Sequence, residues 1–206
     1  MWIVKLGGSL ARLPELKSWL QVLARFGKGK VVIVPGGGMF ADQIRELQVR
    51  WKFSDSSAHR MALLAMEQYG LTLRAIEPEL VAASGTSEVR MVLESSRVPV
   101  WFPYAELASD TTVAHSWEVT SDSLSAWLTR TLNAERLLLV KSCPLPSEPV
   151  SAAYLARQGI VDCAFPSFLR GATWQTWLLP HQRYEALRGV LEGSAEGLCG
   201  ATKVER

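Results

Sequence analysis

The chain reads as an α/β protein: a three-layer αβα sandwich around an open, mostly parallel sheet. Three observations predict this. Strand-like and helix-like segments alternate along most of the sequence. Two segments, Val31 to Val34 and Leu137 to Val140, are continuous apolar runs, as strands buried on both faces require. Finally, Gly7-Gly8, Gly36 to Gly38 and Lys141 all fall at the carboxyl ends of such strands, where parallel sheets place their ligands.

The elements follow in order. The chain opens Met1-Trp2-Ile3-Val4-Lys5-Leu6-Gly7-Gly8-Ser9, a short apolar strand that projects Lys5 near its end and then turns through glycines. Leu13, Leu16, Trp19, Leu20, Leu23 and Phe26 recur at helical spacing until Gly27. The strand Val31 to Val34 leads through Pro35 into Gly36-Gly37-Gly38, so the opening pattern is repeated. Helices are predicted from about Phe40 to Trp51 and from about Ser56 to Tyr69, the second with Ala58, Met61, Ala62, Ala65, Met66 and Tyr69 as its apolar stripe. Leu71 to Ile76 reads as a strand, Val89 to Leu93 as a short helix, and Val98 to Phe102 as a strand stopped by Pro103. Asp122 to Leu132 is a helix, and Leu137 to Val140 a buried strand ending at Lys141. Further on, Pro144, Pro146 and Pro149 mark a stiff loop. Val161 to Phe165 and Thr176 to Leu179 read as strands, His181 to Leu191 as a helix, and Gly193 to Arg206 as a fraying tail.

Composition narrows the function. At 206 residues and 48% hydrophobic, the chain suits one domain with a sizeable core. A net charge of +2, with no basic block, argues against nucleic acid. No apolar run approaches a membrane span, and strand-like sequence from Trp2 onward leaves no signal-peptide pattern; a cytoplasmic protein is expected. Cys143, Cys163 and Cys199 are odd in number and unpaired by spacing, so they read as free thiols, with no metal site expected. The eight Trp are scattered and suit a core or a subunit contact.

Two strands that each open into glycines form a phosphate site in outline, with two phosphate-bearing groups facing each other. Backbone N–H groups can approach an anion closely there, and Lys5 and Ser9 add charge and a hydroxyl. No GxxxxGK[ST] and no GxGxxG after a strand is present, so this is another phosphate-binding design. His59 lies four residues after Asp55, within reach on one helix face, where the carboxylate would favour a protonated imidazole suited to phosphate. The plainer alternatives are a snorkelling Lys5, an ordinary tight turn at Gly36 to Gly38, caps at Asp55 and Asp122, a packing His59 and a solvent-exposed Lys141. Arg60 points to solvent or an interface. His115 and His181 have no partner in sequence, although His115 precedes Trp117 and lies near Asp122.

Val4-Lys5-Leu6-Gly7-Gly8-Ser9, then Val34-Pro35-Gly36-Gly37-Gly38, then Thr120-Ser121-Asp122 before a helix and a buried strand, together resemble the amino acid kinase family. That family includes carbamate, acetylglutamate, aspartate, uridylate and isopentenyl phosphate kinases. The segment Asp55 to Gly70 with Leu139-Val140-Lys141-Ser142 is similar to a small subgroup, the kinases acting on an aminomethylfuran-methyl phosphate in methanofuran synthesis. The resemblance implies a cytoplasmic phosphotransferase that uses ATP with Mg2+ and a small phosphorylated acceptor, and that self-associates as a homo-oligomer. It implies catalytic roles for Lys5, Asp122 and Lys141, with Asp122 between two lysines. It implies nucleotide contacts from Gly7, Gly8, Ser9, Lys141 and Ser142, and acceptor contacts from Gly36, Gly37, Gly38 and His59. It also implies one amino acid kinase-like domain, about 1–135 acceptor-binding and catalytic, about 136–206 a shortened nucleotide-binding part. The family usually carries a Thr-Asp pair where this chain has Lys141-Ser142-Cys143-Pro144. Two other readings stay open at this point: a non-catalytic ATP- or anion-binding member, and a kinase for isopentenyl phosphate or a nucleoside monophosphate.

Overall fold

The computed structural model describes residues 1–194 and 197–205. Its strands are β1 (Trp2–Leu6), β2 (Val31–Pro35), β3 (Val81–Ser84), β4 (Pro99–Phe102), β5 (Arg136–Lys141), β6 (Val150–Ser151), β7 (Gln175–Pro180) and β8 (Thr202–Glu205). They form one eight-stranded sheet in the order β3-β4-β2-β1-β5-β7-β8-β6. All pairings are parallel except β7 with β8. The helices are α1 (Glu15–Phe26), α2 (Gly38–Trp51), α3 (Asp55–Ile76), α4 (Thr86–Glu94), α5 (Tyr104–Leu107), α6 (Ser121–Thr131), α7 (Ala152–Arg157), α8 (Phe165–Phe168) and α9 (Tyr184–Glu192). None of the described helices is long and apolar enough to cross a membrane.

β1 is central, paired with β2 on one side and β5 on the other, and all five of its residues are buried. Side chains alternate across the sheet, so each strand feeds two cores. Ile3, Val32, Val34, Leu137 and Leu139 face a core that contains Leu124, Ala126 and Leu128 of α6. Val4, Leu6, Ile33, Leu138 and Val140 face the other core, with Leu16, Trp19, Leu20 and Leu23 of α1 and Leu187 and Leu191 of α9. This parity decides the site. Lys5 is two residues from Ile3, and Lys141 two from Leu139, so both lysines lie on the α6 face of adjacent strands.

Several expectations change. Leu71 to Ile76 is not a strand; it is the end of α3, which runs unbroken through Gly70. That glycine is where the helix crosses the sheet: a Cβ there would stand 2.8 Å from the Phe102 ring. Leu71, Thr72, Leu73 and Arg74 alternate as a strand would, but Leu73 is buried while Leu71 is 52% exposed, whereas residues two apart in a strand share a face. The edge position belongs instead to β3, a four-residue segment too short for periodicity to reveal. Val161 to Phe165 is a turn into α8, with Val161 and Phe165 plugging the core. The tail does not simply fray: Thr202–Glu205 pairs antiparallel with β7, while 195, 196 and 206 lie outside the described residues. β6 and α7 had no clear signal among the surrounding prolines.

Candidate active site

The two glycine turns pack backbone against backbone. A Cβ on Gly8 would stand 2.1 Å from Cα and N of Gly38, and one on Gly36 would stand 2.5 Å from N of Gly8. Gly38 also has φ of 54°, which only glycine adopts at low cost. These are therefore not ordinary tight turns: the close approach of the two backbones excludes side chains at Gly8 and Gly36. α2 begins at Gly38 with no side-chain cap, which leaves its first N–H groups without intrahelical partners. A 3₁₀ turn, Gly8–Arg12, follows β1. The hydroxyls of Ser9 and Ser142 are hydrogen-bonded at 2.7 Å, which joins the ends of β1 and β5.

Below these turns lies a buried charge cluster. Asp122 Oδ1 is 2.9 Å from Lys5 Nζ, and Lys141 Nζ donates to Asp122 Oδ2 at 2.7 Å. Asp122 sits in the first turn of α6, where the helix dipole favours a carboxylate. It thus orients two lysines rather than acting as a simple cap, and Lys141 is 8% exposed rather than solvated. Burial alone would raise the Asp122 carboxyl, but the charges of Lys141 and then Lys5 hold it well below the usual carboxylate range. For Lys141, burial lowers the ammonium, opposed by Asp122. Two ammonium groups against one carboxylate leave a local surplus of positive charge. Lys5 thus shares Asp122 with Lys141 through the other carboxylate oxygen.

Beside the glycines, a cavity of about 450 Å³ opens between α2, α3 and residues 117–124. Gly8, Ser9, Gly36 to Gly38 and His59 line it, while Lys5, Gly7, Asp122, Lys141 and Ser142 do not; Arg12, Asp42, Arg45 and Trp117, which sequence did not single out, also line it. The Arg45 guanidinium lies 4.3 Å over the Trp117 ring, and Trp117 Nε1 donates to Gln48 Oε1 at 2.6 Å. The expected Asp55–His59 pair does not form. Asp55 accepts from Gln48 at 2.8 Å, and Ser54, not Asp55, caps α3. His59 instead stacks on His115, centroids 4.4 Å apart and rings 9° from parallel. Burial, assisted by the charge of His115, lowers His59 to about 4, so it is neutral near neutral pH and not a cation for phosphate. Its partner escaped notice because it is 56 residues away in sequence. The His181 backbone is bonded on both sides: its carbonyl accepts from Trp19 Nε1, and its N–H donates to the Lys141 carbonyl. Arg60 is tied to the Ala108 carbonyl at 3.1 Å. The three cysteines are free and exposed.

A second missed residue stands behind Asp122. Asp162, in the loop before α8, accepts from N and Oγ1 of Thr120 at 3.0 and 2.8 Å and from N of Ser123 at 3.0 Å. Burial, reinforced by Asp122, raises its carboxyl above the ordinary range.

The donor set suits a nucleotide's phosphates: bare glycine backbone, Lys5, Lys141 and two serine hydroxyls. Among the described residues no group of three or more His, Cys, Asp or Glu would hold a metal ion. A Mg2+ ion fits here as one bound largely by phosphate oxygens, as is usual for that cation.

Residues 1–144 match the model of the amino acid kinase family. A [5-(aminomethyl)furan-3-yl]methyl phosphate kinase of Methanocaldococcus jannaschii is 28% identical over 204 residues, 94% of each chain. The fold is similar to that of uridylate kinase from Archaeoglobus fulgidus, with a TM-score of 0.73, 14% identity and 99% of each chain covered. UMP kinase from Ureaplasma parvum aligns with a TM-score of 0.71 and 15% identity, over 100% of this chain and 98% of that one. The chain belongs to the amino acid kinase family.

Proposed function

We propose that this member of the amino acid kinase family is a phosphotransferase that moves the terminal phosphoryl group of ATP onto a small phosphomonoester, giving a diphosphate and ADP. The first candidate acceptor is the aminomethylfuran-methyl phosphate of methanofuran-type cofactor synthesis. The observation that carries the reaction is the Lys5–Asp122–Lys141 cluster beneath two stacked glycine turns. The acceptor rests on the 28% identity to the furan phosphate kinase over 94% of the chain.

ATP supplies the phosphoryl group, and Mg2+ offsets charge on its phosphates. An acceptor phosphate oxygen forms the new P–O bond as the bond to ADP breaks. A phosphomonoester loses its second proton near pH 6, so that oxygen is already anionic and no general base is required. What remains is positioning and charge neutralisation. Lys5 bridges the transferring group and its neighbour; N–H groups of Gly7, Gly8 and Ser9 cradle the same oxygens. Asp122 holds both ammonium groups in place. Lys141, with Ser142, sits on the leaving side and meets the charge that builds up there. Gly36, Gly37 and Gly38, with the free N–H groups of α2, receive the acceptor phosphate. His59, as a neutral imidazole, lines the cavity that takes the organic part. In this reading residues 1–135 bind the acceptor and carry the chemistry, and 136–206 face the nucleotide.

The test is 31P NMR of the purified protein with Mg·ATP and a panel of acceptors: the furan phosphate, isopentenyl phosphate, UMP, AMP, carbamate and acetylglutamate. A diphosphate formed from the furan phosphate alone is the expected result. Turnover of isopentenyl phosphate, UMP or AMP keeps the reaction and overturns the substrate; turnover of carbamate or acetylglutamate, which gives an acyl phosphate, overturns the phosphomonoester reaction. ATP binding without any turnover favours a non-catalytic binding protein. Self-association belongs to the proposal. Leu47 and Trp51, four residues apart on α2, are 46% and 66% exposed, and no residue of α2 is buried. A monomer by light scattering at micromolar concentration contradicts it.

A further inference from the structure

We infer that Asp162 is a positioning residue for phosphoryl transfer: it clamps the first turn of α6 and so sets Asp122 between the two lysines. The inference rests on the phosphotransferase reading of the cluster.

The geometry is specific. Helix α6 has Thr120 as its N-cap, yet that side chain makes no capping bond within its own helix. The cap comes from outside. Asp162 Oδ2 takes the N–H groups of Thr120 and Ser123, both at 3.0 Å, and the Thr120 hydroxyl at 2.8 Å. Its Oδ1 takes the Ser123 hydroxyl. Ser123 is fully buried, so its N–H and hydroxyl have no solvent to fall back on. A backbone bond from Ala164 N–H to the Glu118 carbonyl, 3.0 Å, ties the same two segments a second time.

Asp122 lies between Thr120 and Ser123 in the chain, so the clamp grips its backbone on both sides. Its two ion-pair distances, 2.9 and 2.7 Å, leave little slack. The same turn supplies Thr120, Ser121 and Leu124 to the cavity wall. One carboxylate from the late part of the chain therefore fixes both the charged centre and one side of the acceptor cavity. Asp162 does not itself line the cavity, so it acts through α6 and not on substrate.

A merely structural cap predicts lost stability only. The experiment compares Asp162→Asn and Asp162→Ala with Ser151→Ala, which removes the side-chain cap of α7 far from the lysines. Asp162→Asn is expected to lower kcat ~10- to 100-fold, the scale of a small misplacement of reacting groups, while Ser151→Ala lowers the melting temperature and leaves kcat alone. In an Asp122→Asn background, Asp162→Asn should cost less than about threefold further, because the two act as one unit. A readout independent of turnover is the 13C carboxyl titration of Asp122. Loss of a neighbouring negative charge by itself would move that titration to lower pH; loosened lysine contacts move it to higher pH. The inference predicts the upward shift in both Asp162 variants. A downward or absent shift, an unchanged kcat, or losses that add fully to those of Asp122→Asn would each overturn it. Absence of turnover in the unmodified protein would instead strike the phosphotransferase reading, with the titration still deciding the clamp.

Discussion

The site has a charged end, the lysine–aspartate cluster beneath the glycine turns, and an aromatic end in the cavity beside them, and they are built by different physics. At the charged end, geometry comes from backbone: sheet parity puts Lys5 and Lys141 on one face, and glycines let two turns touch. At the aromatic end, side chains from α2, α3 and the 115–117 loop meet as stacked rings: His59 on His115, Arg45 on Trp117. The first end suits an anionic reaction centre. The second suits an organic ring that packs against side chains.

The largest expected break of this contrast is Lys5→Ala. Asp122 keeps its hydrogen bond to Lys141, so the fold should survive. Turnover should fall about 10²- to 10³-fold, the scale seen when one charge-stabilising donor is removed. Equal turnover in both proteins would remove the charged end from the mechanism.

Next is Gly8→Ala against Gly7→Ala. A Cβ at Gly8 would stand 2.1 Å from Gly38, whereas at Gly7 nothing comes nearer than 3.5 Å. Gly8→Ala should part the turns, costing about 1–3 kcal/mol of stability in urea unfolding and about 10²-fold in kcat. Gly7→Ala should cost little of either. Similar losses would mean that the close approach is not what the glycines serve.

Trp117→Ala should act at the other end. It removes the ring under Arg45 and the bond to Gln48. The acceptor KM should rise about tenfold with kcat nearly kept, the signature of uniform binding. A fall in kcat alone would erase the distinction between the ends.

The smallest effect is on stability against pH. Folded His59 titrates at about 4, below the ordinary 6.5. Above pH 6.5 both states are neutral. Between pH 6.5 and 4 the unfolded chain takes up a proton that the folded one refuses, so stability falls as pH falls. His59→Gln should flatten that slope in urea midpoints measured at pH 7.5 and 5. An unchanged slope would mean that His59 is not held neutral.

The charged end was legible in sequence because each of its parts is a short local motif, a strand and its glycines in nine residues and Thr120-Ser121-Asp122 before a helix, and the family resemblance joined them. The aromatic end was not, since Arg45, His59 and Trp117 are spread over three segments and carry no shared spacing. His59 was found but its electrostatics were misjudged; Asp55, near in sequence, turned to Gln48, and burial decided the imidazole. In the fold, long apolar runs such as Leu137 to Val140 were read correctly. Leu71 to Ile76 was misread because its local alternation is strand-like, while it is packing that continues α3 to Ile76. Asp162 had no local signal at all, because its four bonds reach across about forty residues to α6.

The most direct measurement is acceptor-dependent ADP release, with Mg·ATP and the furan phosphate, by the unmodified protein and by Lys5→Ala with matched circular dichroism. The account predicts steady release that requires the acceptor and collapses in Lys5→Ala. Release that ignores the acceptor, or that survives the loss of Lys5, would contradict phosphoryl transfer through the Lys5–Asp122–Lys141 cluster.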